Sequence, residues 1–171
     1  DIFLTEGRGE FGKPRHSCWW YRLNLASSQE ESVVLVRAGN CNVLINPSLP
    51  GHFLRQALYD CTGLDPADIT HVFCLDGAAK HRLDVETLRN AAYLMPAGAL
   101  EHQKAAGADI HLALFHAWNN QIPELTLAGG ICCFEAPEGT VAVAAECPSD
   151  EFLKENRVKV LLCGSVMTVR R

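Results

Sequence analysis

The run ITHVFCL at residues 69–75 does most to narrow the fold. It has the length of a strand and is nearly all apolar, so both of its faces must be covered by other parts of the chain. Just upstream, HFLRQALYDCTG (52–63) places Phe53, Leu54, Ala57, Leu58 and Cys61 at helical spacing, with Gly63 as the residue that closes the helix. Further upstream WWYRLNLA (19–26), SVVLVRAG (32–39) and CNVLINP (41–47) read as strands, the last two joined by a Gly39-Asn40 hairpin turn. Downstream the pattern predicts a helix over 84–91, a short strand at AYLM (92–95) and a helix over 96–105.

The second half is rich in strand patterns: 110–117, 121–128, 130–136, 139–146 and one long run over 157–169. Residues 148–157 read as a short helix with Ser149 or Asp150 as its N-cap. Many strands with a few amphipathic helices to cover them predict an α/β (α+β) sandwich. The length of 171 residues fits one domain over 19–171, preceded by an irregular Gly-rich arm over 1–18.

Composition removes several classes of function. The net charge is −5 with no basic block, so no nucleic-acid footprint is present. The longest apolar stretches are of strand length, so no membrane span is expected. The first residue is Asp, which predicts a trimmed N-terminus, and the residues after it show no secretory leader. The eight cysteines form no CxxC pair, and most lie inside apolar runs. They are therefore expected to be reduced, buried thiols in a cytoplasmic protein, with neither a disulfide framework nor a cysteine zinc site.

The order of the pieces resembles the metallo-β-lactamase superfamily. NVLINPSLPGHFLRQAL is similar to the family's strand that ends in Asp-x-Gly and the helix after it. GLDPADITHVFCLDGAAKHRLDVETLRNA looks like its ligand-bearing strand and loop. FEAPEGTVAV sits where the family has the turn carrying its third histidine, and VKVLLCGS sits where it has the strand ending in a bridging Asp. The resemblance covers about residues 19–165 and implies a metallo-β-lactamase-like αββα sandwich, shortened at the C-terminus because the chain ends at Arg171 before the family's last histidine.

Aligned on His81, the family's T-H-x-H-x-D-H motif meets Leu75, Asp76, Ala78, Lys80 and His81 at its chemical positions. Asn46 replaces the strand-end Asp, Glu135 falls near the third histidine, and Ser165 replaces the bridging Asp. A zinc hydrolase needs about three protein ligands per metal and an open position for water. Ala78 has no lone pair, and the Lys80 ammonium repels an incoming cation. No His-x-His spacing occurs anywhere in the chain.

Three readings of the remnant stay open. Asp76, His81 and Glu135 form one zinc or manganese site; or the Lys80 ammonium takes the cation's place, paired to Asp76 or Glu135; or these are unrelated solvated loop residues. No cofactor is expected under the second and third. His71, Trp19 and Trp20 read as packing residues, Cys132 and Cys133 must face opposite sides of their strand, and Ser165 lacks a nucleophile-elbow pattern. The resulting expectation is a non-catalytic binding, regulatory or assembly module with the vestigial site Asp76, Lys80, His81, Glu135 and Ser165. The alternative is a metal-dependent hydrolase using Asp76, His81 and Glu135. A missing final strand would leave an open edge, so a homodimer, or a different protein partner, is expected to cover it.

Overall fold

The structure, a computed structural model, describes residues 18–23, 33–48, 51–78, 85–107, 110–164 and 166–170. Lys80, His81, Ser165 and nearly all of the arm over 1–18 lie outside the described residues.

The first sheet has the order β1-β2-β3-β4-β5-β6. Its strands are β1 (Cys18–Leu23), β2 (Val33–Ala38), β3 (Cys41–Ile45), β4 (His71–Phe73), β5 (Ala92–Met95) and β6 (Phe115–Ala117). β1, β2 and β3 pair antiparallel, and β3 to β6 pair parallel. The second sheet has the order β11-β10-β9-β8-β7. It comprises β7 (Thr126–Ala128), β8 (Ile131–Ala136), β9 (Gly139–Ala144), β10 (Val158–Cys163) and β11 (Val166–Val169).

Alternation along each strand divides the apolar residues between layers. Val34, Val36, Val43, Ile45 and Phe73 face the second sheet, where they meet Cys132, Phe134, Val141, Val143, Val160 and Leu162. Their neighbours Val33, Leu35, Leu44 and Val72 face outward and pack under α1 (Gly51–Thr62) and α2 (Ala97–Ala105) through Leu54, Ala57, Leu58 and Leu100. The outer face of the second sheet packs Ala142, Val158, Leu161 and Cys163 against Leu153 of α3 (Asp150–Glu155). The layer order is therefore helix, sheet, sheet, helix, as the resemblance implied. Cys132 lies in the inner layer and Cys133 in the outer one, on opposite faces of β8 as expected.

Several element boundaries differ from the sequence expectation. The helix expected over 84–91 is a single 3-10 turn at Val85–Leu88, and the strand expected over 110–117 is a 3-10 turn (Ile110–Leu114) leading into β6. The strand expected over 121–128 is confined to β7, because Ile122 and Leu125 close a turn through the Leu125 N–H to Ile122 O bond (3.1 Å). The run 157–169 is two strands and not one, paired antiparallel and reversed at Gly164, whose φ of 57 lies in the left-handed region. α3 begins at the expected cap: Ser149 Oγ accepts the Phe152 N–H (3.2 Å). No helix of the described residues is long and apolar enough to cross a membrane.

The cysteine expectation needs one correction. Cys147 and Cys163 form a disulfide, with their Cα atoms 5.4 Å apart. Cys163 closes an apolar strand and reads as a hydrophobe in sequence. Its partner is an exposed residue 16 positions earlier, which only the fold brings beside it.

Candidate functional site at the strand ends

The C-terminal ends of β3, β4, β9 and β10 meet at one edge of the sandwich. β3 and β4 are parallel, so Asn46 and Cys74 leave the first sheet together. β9 and β10 are also parallel, with Ala144 paired to Cys163, so Ala145–Cys147 and Gly164 leave the second sheet at the same end. The β7–β8 turn reaches this edge too, since a Cβ on Gly130 would stand 4.0 Å from the Leu75 carbonyl oxygen.

Asn46 ties the edge together. It is 6% exposed and holds a φ of 50, a left-handed conformation that Asn tolerates better than most residues. Its backbone N–H donates to Phe73 O (2.9 Å), and its side-chain Oδ1 accepts the Leu75 N–H (2.8 Å). The carboxamide therefore satisfies a buried backbone donor of the loop after β4. Asn46 also borders a cavity of about 10 Å³ with Val34, Val143, Ala144, Ala145, Leu162 and Gly164.

The loop after β4 is folded onto itself. Leu75 is 2% exposed and belongs to the inner core. Asp76 is exposed, and its Oδ1 accepts the Ala78 N–H (3.0 Å), the local turn that Asp favours. Gly77 is buried with a φ of 70, and a Cβ there would lie 3.0 Å from Met95 Sδ and 3.1 Å from Gln103 Cγ. The positions that resemble a ligand loop thus carry a core Leu, a turn-forming Asp, a glycine fixed by close packing and a methyl group.

Glu135 stands elsewhere. β8 runs antiparallel to β9, with Ile131 opposite Ala144 and Glu135 opposite Thr140. Four residues at about 3.3 Å each place Glu135 roughly 13 Å along the strand from the edge where Asn46 and Gly164 meet. There it is exposed, on the outward face of β8, and its Oε1 accepts the Thr140 hydroxyl (2.6 Å). The nearby Glu138 accepts the Trp20 indole N–H (3.2 Å), so Trp20 packs in the core while its nitrogen is satisfied. Glu135 is thus not brought to Asp76 by the strands that carry them, and no group of three potential ligands occurs among the described residues. The expectation of a Lys80 ion pair with Asp76 or Glu135 lies outside those residues, as does His81.

Sequence reasoning missed the segment Ala145-Glu146-Cys147. It occupies the site edge in place of the β8–β9 turn, because the chain crosses from β9 to the parallel β10 through α3. The signal was present: a strand, a helix opening at Ser149 and a second strand, the order of a parallel crossover. Glu146 and Cys147 are exposed there, and Cys147 is held in the disulfide. Burial raises the Cys132 thiol, with Cys133 and Cys18 adding to the effect, and burial followed by Glu135 pushes Cys133 up to about 11. Burial lowers the His71 imidazole, which shares a 2.8 Å hydrogen bond with Thr70 Oγ1 beside the antipodal edge. An open groove of about 520 Å³ lined by Arg55, Asp65, Thr87 and Arg89 also lies on that opposite side, near the start of β4.

Similar solved structures share this fold. A Thermotoga maritima protein provisionally described as a metallo-β-lactamase matches with a TM-score of 0.65 and 12% identity, over 91% of this chain and 100% of that one. The chain has the metallo-β-lactamase fold. A B3 metallo-β-lactamase with an active-site glutamic acid matches with a TM-score of 0.57 and 15% identity, over 95% and 79% of the two chains. A Cronobacter sakazakii metallo-β-lactamase with a HARLDQ motif matches with a TM-score of 0.54 and 14% identity, over 86% and 77%. No family model and no curated protein matches the sequence.

Proposed function

We propose that the chain is a non-catalytic module built on the hydrolase fold, which binds or assembles instead of hydrolysing. One observation carries this reading: at the strand ends the side chains bond to the chain itself. Asn46 accepts Leu75 N–H and Asp76 accepts Ala78 N–H, so two lone-pair donors at the old ligand edge stabilise backbone. Of the two, Asp76 stands at a position that the resemblance aligns with a ligand, and a metal hydrolase needs such a side chain turned to the ion that activates water. The self-closed loop gives that metal an exposed carboxylate and little else among the described residues. The zinc or manganese alternative, on Asp76, His81 and Glu135, would need Glu135 supplied from the far end of β8.

The proposed module works as a homodimer. β11 is an edge strand with Val166 and Val169 both more than half exposed, and an apolar edge of that kind favours pairing. The six cysteines outside the disulfide, four of them buried, suit the reducing cytoplasm proposed for it, and the Cys147–Cys163 bond is the exception to that pattern. Thermal unfolding with added zinc or manganese tests the reading. A ligand bound at 100 times its Kd stabilises by about 2.7 kcal/mol, a shift of several degrees. The proposal expects no shift at micromolar metal; a clear rise in Tm, accompanied by ester or lactam hydrolysis, would overturn it.

A further inference from the structure

We infer that the Cys147–Cys163 disulfide is a reversible thiol–disulfide modification site that controls the rigidity of the strand-end edge. The inference stands apart from the question of catalysis and rests on placement. The bond closes the crossover β9–α3–β10 into a loop, joining the segment that leaves β9 to the last residue of β10. The two sulfur-bearing residues differ in environment: Cys147 is exposed and follows a strand end, whereas Cys163 is 5% exposed and packs with Leu153, Val158 and Leu161 under α3. The Cys147 side is therefore the one from which an attacking thiolate would approach, and exposure favours exchange.

The bond also flanks a wall that matters. Ala144, Ala145 and Gly164 border the cavity beside Asn46, and each lies within three residues of a bridged cysteine. Gly164 turns the chain with a φ of 57 directly after Cys163. While the bond is intact, the exits of β9 and β10 move as one body. When it opens, the β9–β10 ladder, the flanking pairs Ile131–Ala144 and Cys163–Val166 and the packing of α3 hold them. Reduction thus loosens one wall of the edge and leaves Asn46 and the first sheet in place.

The step balances with glutathione as the thiol reductant. A glutathione thiolate attacks Cys147 Sγ, the disulfide breaks, and Cys163 leaves as a thiolate that takes up a proton. A second glutathione thiolate then attacks the glutathione sulfur of the mixed disulfide and releases Cys147, which is protonated in turn. The protein gains two electrons and two protons, and two glutathiones become one glutathione disulfide.

The test equilibrates the intact chain in buffers of varied reduced-to-oxidised glutathione ratio, traps thiols by alkylation and counts them by mass spectrometry. Hydrogen exchange is followed in parallel. The inference expects Cys147 and Cys163 to titrate together and reversibly, with exchange rising at least tenfold over 145–149 and 163–164 and unchanged in β2 and β3. Refusal of glutathione at every ratio would overturn it, because the bond would then be a static staple. So would reduction that raises exchange uniformly, and so would alkylation of Cys147 in untreated protein. Cys147→Ser serves as the control: it must show the loosened exchange pattern without glutathione, and an oxidised-like pattern would equally overturn the inference.

Discussion

Asn46 combines two demands that few residues meet, since it accepts the buried Leu75 N–H and sustains a φ of 50. Leaving a buried donor unmet costs about 1–3 kcal/mol. Asn46→Ala is therefore expected to lose stability in that range in urea unfolding, while Asn46→Asp, which keeps an acceptor, loses less; equal losses would mean the hydrogen bond is not what holds the edge. Gly77→Ala meets both a left-handed backbone and atoms at 3.0 and 3.1 Å, so a loss above about 1 kcal/mol is expected. His71 adds a pH dependence. Burial lowers its folded pKa below the ordinary 6.5, so the unfolded chain binds the proton more readily. Stability is fully present above about pH 6.5 and declines as pH falls from there through the folded pKa. His71→Asn should flatten that decline in unfolding curves recorded between pH 7.5 and 5; an unchanged slope would assign it to other groups. At this scale Asn46 and Asp76 were legible because each occupies a recognisable strand end. Their self-bonding was not, because a hydrogen bond 29 residues apart leaves no local pattern.

α3 and the strands it joins decide how the edge is built. Ser149 caps α3 as its sequence foretold, and Ser149→Ala is expected to cost about 1 kcal/mol. The disulfide that closes the same crossover, its cysteines 16 residues apart in the chain, is expected to contribute about 3 kcal/mol, seen as a lower urea midpoint after reduction. An unchanged midpoint would show the crossover is held by packing alone. Apolar alternation located β2, β3, β5 and β8 to within a residue or two. It could not locate Glu135 correctly, because periodicity says nothing of strand direction. The parallel pairing of β9 with β10 moves the β8–β9 turn to the far end of the sheet. The single run over 157–169 failed for a related reason: Gly164 reverses the chain with two intervening residues, and apolar pattern continues across the turn.

The whole molecule is a two-sheet sandwich whose layers follow from alternation, and whose chemistry depends on what four strand ends present. The described ends present a carboxamide, a turn-forming carboxylate, the exposed Glu146, methyl groups and a disulfide, with no group of three potential ligands among the described residues, which is the basis for reading the chain as a binding or assembly module. Assembly through β11 predicts twice the monomer mass in size-exclusion chromatography with light scattering, and a monomer at tens of micromolar would count against it. The central claim is tested most directly by elemental analysis of the protein purified without chelators. Zinc, manganese and iron are each expected well below one per chain; one stoichiometric equivalent of any of them would contradict the non-catalytic reading.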